Sequence, residues 1–217
     1  MGTVRKIIGT VIVFAIGINV VVGIVERSGL SVPADQSESN MDSARANAPP
    51  AKPQLSADER ARVLSNATKG LRVKRDEMEK VTFYSTNSGD ALKTQVTAYL
   101  GVPDGDPPYL RMRTVFFGDR WVFFETIKIM TDNEIVLEKA LPRSVITRDN
   151  EDGSVWEVAD YTPREDDLQA LKKISTAKSA TIRFSGRDRI RDHKISEAEK
   201  ASLRMILKAH RELEQKL

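Results

Sequence analysis

The sequence predicts an α+β protein: a single N-terminal transmembrane helix, then an antiparallel sheet of about six or seven strands packed with about three helices. Three observations predict it. Residues 7–25 form an apolar run with no charged side chain. Residues 81–159 break into short β-type runs separated by turn residues. Helix-start signals at Ser56, Thr162 and Ser196 each precede an amphipathic stretch. Successive short antiparallel strands argue for a meander, with helices on one face or at one end.

At a rise of ~1.5 Å per residue the first run spans roughly 28 Å, close to a ~30 Å bilayer core. It is longer than a signal-peptide core and leaves through Gly23-Ile24-Val25-Glu26 without an A-x-A cleavage site, so residues 1–27 read as an uncleaved signal anchor. Arg5 and Lys6 precede the run, and Arg27 behind it is offset by Glu26. The positive-inside bias then places the bulk of the chain outside the cytoplasmic membrane. Ala15, Asn19 and Gly23 recur every four residues and share one face, a candidate surface for packing on another helix.

Residues 28–55 read as a linker. From Ser28 to Gln54 the chain is rich in Ser, Ala, Pro and Asn, with too little apolar surface to offset the entropy of ordering. As a random coil this stretch separates its ends by about 30 Å. Residues 56–217 remain as one α+β domain, large enough for a real core.

In that domain Ser56 and Glu59 form a capping box for a helix from about 57 to 79, with Gly70 as a point of interruption. Strands are expected at 81–85, 94–102, 109–117 and 120–131, with Gly118-Asp119 as a two-residue hairpin turn. Asp132-Asn133 closes a hairpin into 134–140, and 144–148 pairs with 154–159 across a longer loop containing Asp152-Gly153. Thr162, Pro163 and Glu165 read as N-cap, N1 and N3 of a second helix. A strand at 180–184 follows. Ser196 and Glu199 cap a last helix with the stripe Leu203, Ile206, Leu207, His210 and Leu213.

The 217 residues carry a formal charge of +3, and the domain alone is near +2. A pI near 9.1 on so balanced a surface gives no reason to expect nucleic acid as a partner. With no cysteine, disulfides, thiolate zinc sites and cysteine nucleophiles are excluded. No Walker loop, nucleophile elbow, dinucleotide fingerprint, H-E-x-x-H or EF-hand pattern occurs, so neither a metal nor a cofactor is expected. Of the two histidines, His210 falls on an apolar stripe and His193 in a charged loop.

Two features carry binding chemistry. Arg187, Arg189, Arg191 and Lys194 form a basic segment, expected as a loop, that presents guanidiniums to phosphate or carboxylate groups. Phe116, Phe117, Trp121, Phe123 and Phe124 gather around one expected hairpin, where core packing is the ordinary use. Anchor, tether and cysteine-free domain resemble the architecture of small bacterial envelope proteins, which implies a periplasmic setting. The expected function is a membrane-anchored, non-enzymatic binding or scaffold module, held in the bilayer through residues 7–25, with a protein or anionic envelope component as partner. Two alternatives are a hydrolase of envelope polymer using paired carboxylates and a cytoplasm-facing tethered regulator.

Overall fold

The structure is a computed structural model that describes residues 55–86 and 93–217. The anchor, most of the linker and the Ala15, Asn19, Gly23 face lie outside the described residues. Among the described residues no helix is long and apolar enough to cross a membrane.

The elements run α1 (Ala57–Ala67), β1 (Arg72–Asp76), β2 (Val81–Ser85), β3 (Gln95–Pro103), β4 (Tyr109–Gly118), β5 (Thr126–Thr131), β6 (Glu134–Ala140), β7 (Ile146–Glu151), β8 (Ser154–Tyr161), α2 (Glu165–Thr176), β9 (Ala180–Ser185), β10 (Ile190–Lys194) and α3 (Glu197–Lys216). The α+β class is as expected, but the ten described strands form two antiparallel sheets rather than one. The larger has the order β1-β2-β3-β4-β8-β7, the smaller β10-β9-β5-β6. Both sheets and the helices share one core. Val96, Leu100, Leu110 and Met112 enter it from the large sheet, Ile127, Ile129, Ile182 and Phe184 from the small one. Leu171 and Ile174 of α2 and Leu203 and Ile206 of α3 complete it. Phe184 meets Phe116 at 6.1 Å and Phe124 at 5.1 Å between ring centroids, tying the sheets together.

Four expectations need correction. The first helix stops at Ala67, where the Thr68 hydroxyl donates to the Leu64 carbonyl at 2.7 Å and Gly70 turns the chain at φ +84°. The charged stretch beyond becomes β1 and a turn. Asp76 accepts from the backbone N–H of Met78 and Glu79, so hairpin pairing overrides helix propensity there. The second helix is entered through Arg164, whose N–H donates to Asp167 at 2.8 Å; Thr162 is not its cap. Ile190–Lys194 is an edge strand on β9, not a loop. Lastly, Gly118-Asp119 makes no hairpin: β4 pairs with β3 and β8, whereas β5 pairs with β6 and β9 in the other sheet.

The remaining turns follow the sequence. Asp132 and Asn133 both hold positive φ between β5 and β6. Asp152 and Gly153, at +49° and +79°, make a two-residue turn between β7 and β8, tighter than the expected loop. The capping boxes at Ser56 and Ser196 form as read. At the other end of α2, buried Lys200 donates to the carbonyls of Ala177 and Lys178, each at 3.0 Å, and so closes the helix C-terminus.

Candidate functional site

Residues 119–125 connect the sheets, and 120–125 were expected to be strand. A carboxylate from β8 gives them another shape. Val155, Glu157, Ala159 and Tyr161 alternate onto the core face of β8. Glu157 is therefore fully buried, and it needs strong partners to remain there. It accepts the backbone N–H groups of Val122 (2.7 Å), Phe123 (2.7 Å) and Phe124 (2.9 Å). Arg148 of β7 donates its Nε to the same carboxylate at 3.0 Å and an Nη to the Phe124 carbonyl at 2.9 Å. The segment is thus held by its main chain, and amides given to Glu157 are withdrawn from any sheet ladder.

This hold has a local conformational cost. Phe123 sits at φ +53°, a region that costs a non-glycine residue roughly 1–2 kcal/mol. Its neighbour Phe124 is fully buried, while Phe123 is 55% exposed. That ring stacks on Trp121 at 5.4 Å and 18° between planes, and the Arg148 guanidinium lies 5.7 Å from its centroid. A large aromatic group is held toward solvent by a strained backbone.

The facing wall is the turn between β9 and β10. Gly186 donates its N–H to the Arg189 carbonyl at 2.9 Å, closing the turn. A Cβ at position 186 would fall 2.0 Å from the Val122 carbonyl oxygen, so only glycine lets the two walls meet. Between them opens a cleft of about 910 Å³, lined by Trp121 and Phe123, by Arg120, Arg143, Arg148, Arg187 and Arg189, and by Asp119, Glu125 and Asp188. Arg120, Arg143 and Arg187 reach acids only at 3.9, 3.5 and 3.6 Å, on exposed side chains where ion pairs hold little. Half-buried Arg189 has neither an ion pair nor a side-chain hydrogen bond among the described residues.

The basic segment of the sequence is therefore divided. Arg187 and Arg189 line the cleft. Arg191 and Lys194 lie on β10, where Arg191 donates to the Ile190 carbonyl at 3.0 Å and Lys194 sits opposite Thr181. On the same strand Asp192 accepts two 2.7 Å hydrogen bonds from Arg183, which hold its carboxyl below the usual range. The aromatic group divides too: Phe116 and Phe124 enter the core, whereas Trp121 and Phe123 reach the cleft. Arg143, Arg148 and Glu157 are site residues that sequence reasoning missed: strand register brings Arg148 and Glu157 there, and Arg143 comes from a short 3-10 turn before β7.

His193 performs a structural task. Its Nε2 lies 3.0 Å from Glu199, which also accepts from Ser196 N (2.9 Å), Ser196 Oγ (2.7 Å) and the Val96 amide of β3 (3.1 Å). Burial opposes ionisation of Glu199, but bonds from His193, Ser196 and Val96 outweigh it and hold the carboxyl down at about 2. His210 is half-buried on α3, and burial lowers its pKa against the opposing pull of Glu214.

In comparisons with protein-family models, curated proteins and solved structures, nothing matches this chain.

Proposed function

We propose that the chain is a membrane-tethered, non-catalytic binding module facing away from the cytoplasm, and that the Arg189–Phe123 cleft is its contact surface. One observation carries the reading: Phe123 keeps an exposed ring on a positive-φ backbone fixed by a buried carboxylate. Strain of that kind persists where the surrounding structure enforces it, and it clusters at binding sites. The guanidiniums opposite give the cleft a preference for anionic groups. The apolar run at 7–25 and its basic N-terminal flank support the tether and its direction.

The test has two arms. A C-terminally tagged full-length chain is treated with protease in cells whose outer barrier is open and inner membrane sealed. Digestion of the tag supports the outward orientation, and protection until lysis overturns it. Washed envelope material stripped of membrane is then sedimented with the full chain. Loss of co-sedimentation in the pair Arg187→Ser, Arg189→Ser, with retention in the pair Arg191→Ser, Lys194→Ser, supports the cleft. Equal behaviour of the two pairs removes it as the contact surface.

A further inference from the structure

Resting on that reading, we infer that the cleft takes an oligosaccharide bearing carboxylate groups, with a sugar ring on the Trp121–Phe123 stack and a carboxylate on Arg189. A sugar ring has an apolar C–H face and a rim of hydroxyls that both donate and accept. It therefore needs a flat aromatic surface bordered by acceptors as well as donors. The cleft has this composition: the exposed Phe123 beside Trp121, the carboxylates of Asp119 and Asp188, and the guanidiniums of Arg187 and Arg189. Arg189 adds the selection for acid. It is half-buried without an ion pair among the described residues, and a planar guanidinium matches a carboxylate through two parallel hydrogen bonds. The volume of about 910 Å³ falls in the size range of ligand clefts, and the cleft is half open to solvent, so a longer chain can run out of it.

Two other anionic partners fit less well. An anionic bilayer presents charge without a C–H ring face for Trp121 and Phe123. An acidic peptide would seek the outer edge of β10, unpaired among the described residues, but Arg191 already caps the Ile190 carbonyl and Arg183 engages Asp192 there. Charged side chains along an edge oppose strand addition.

The experiment uses the full chain in phosphatidylcholine nanodiscs, titrated with oligogalacturonate, with its carboxyl-reduced counterpart and with poly-glutamate. Nanodiscs containing phosphatidylglycerol form a fourth arm. Binding is read by calorimetry and by tryptophan emission, with Trp121→Phe identifying the responding indole. The expected result is binding of oligogalacturonate about tenfold tighter than of the reduced form, an emission change lost in Trp121→Phe, and loss of the tenfold preference in Arg189→Gln. Tighter engagement of poly-glutamate or of phosphatidylglycerol discs overturns the saccharide assignment and leaves the binding-module reading standing. No response in any arm, from chains whose unfolding is cooperative, overturns both.

Discussion

Gly186 lies so close to Val122 that a single methyl group would reach within 2.0 Å of the Val122 carbonyl oxygen. The contact joins the arginine turn to the aromatic loop through backbone alone. Gly186→Ala should force the walls apart at a cost of ~1–3 kcal/mol, the range for over-packing. Urea denaturation of wild type and variant checks this. A variant of unchanged stability would show that the walls do not meet in solution.

Glu157 serves four donors from a fully buried position. Glu157→Gln keeps the shape but offers only one acceptor oxygen, so donors on one side lose their partner. We expect a loss of about 3 kcal/mol, within the range for a broken buried charge pair. Hydrogen exchange at the Val122, Phe123 and Phe124 amides should accelerate by more than the global loss accounts for. Uniform acceleration across the core strands would argue against a local role.

Phe123→Gly separates folding from binding. It relieves positive φ, worth ~1–2 kcal/mol, while losing the ring stack, worth ~0.5–1.5 kcal/mol, and adding unfolded-state freedom of ~0.5–1 kcal/mol. Stability should stay within ~1.5 kcal/mol of wild type while saccharide binding falls. If the urea midpoint instead drops sharply, the ring supports the fold and is not held out for a ligand.

Glu199 supplies an acid-side prediction. Its folded pKa, about 2, lies below the ordinary value of 4.5. Its contribution is therefore complete above about pH 5 and is lost as pH falls toward 2, by ~3 kcal/mol from the linkage relation. Glu199→Gln should reduce the slope of stability against pH across that window by up to about one proton. An unchanged slope would mean that the carboxylate is not held ionised by His193, Ser196 and Val96.

Local signals were legible in the sequence and non-local ones were not. Ser56 with Glu59, Ser196 with Glu199, and the Asp132-Asn133 turn declare themselves within four residues, and each forms as read. The second sheet was hidden because Val122, Phe123 and Phe124 look like strand, and the carboxylate that diverts them is more than thirty residues away. Arg187 and Arg189 stood out by charge, and Trp121 and Phe123 by ring content. That they line one cleft depends on β5 pairing with β9, which no spacing within the chain announces. Arg191 and Lys194 share the composition of Arg187 and Arg189 but follow the start of β10, and strand geometry carries them elsewhere.

The grip of Glu157 on three successive amides has one more consequence. Amides are common to every residue except proline, so the carboxylate shapes this loop without regard to the side chains it carries. Position 123 is therefore open to exchange among residues that tolerate its positive φ: another side chain there would inherit the same outward posture. The surface of the cleft can change at that one point while the architecture beneath stands still.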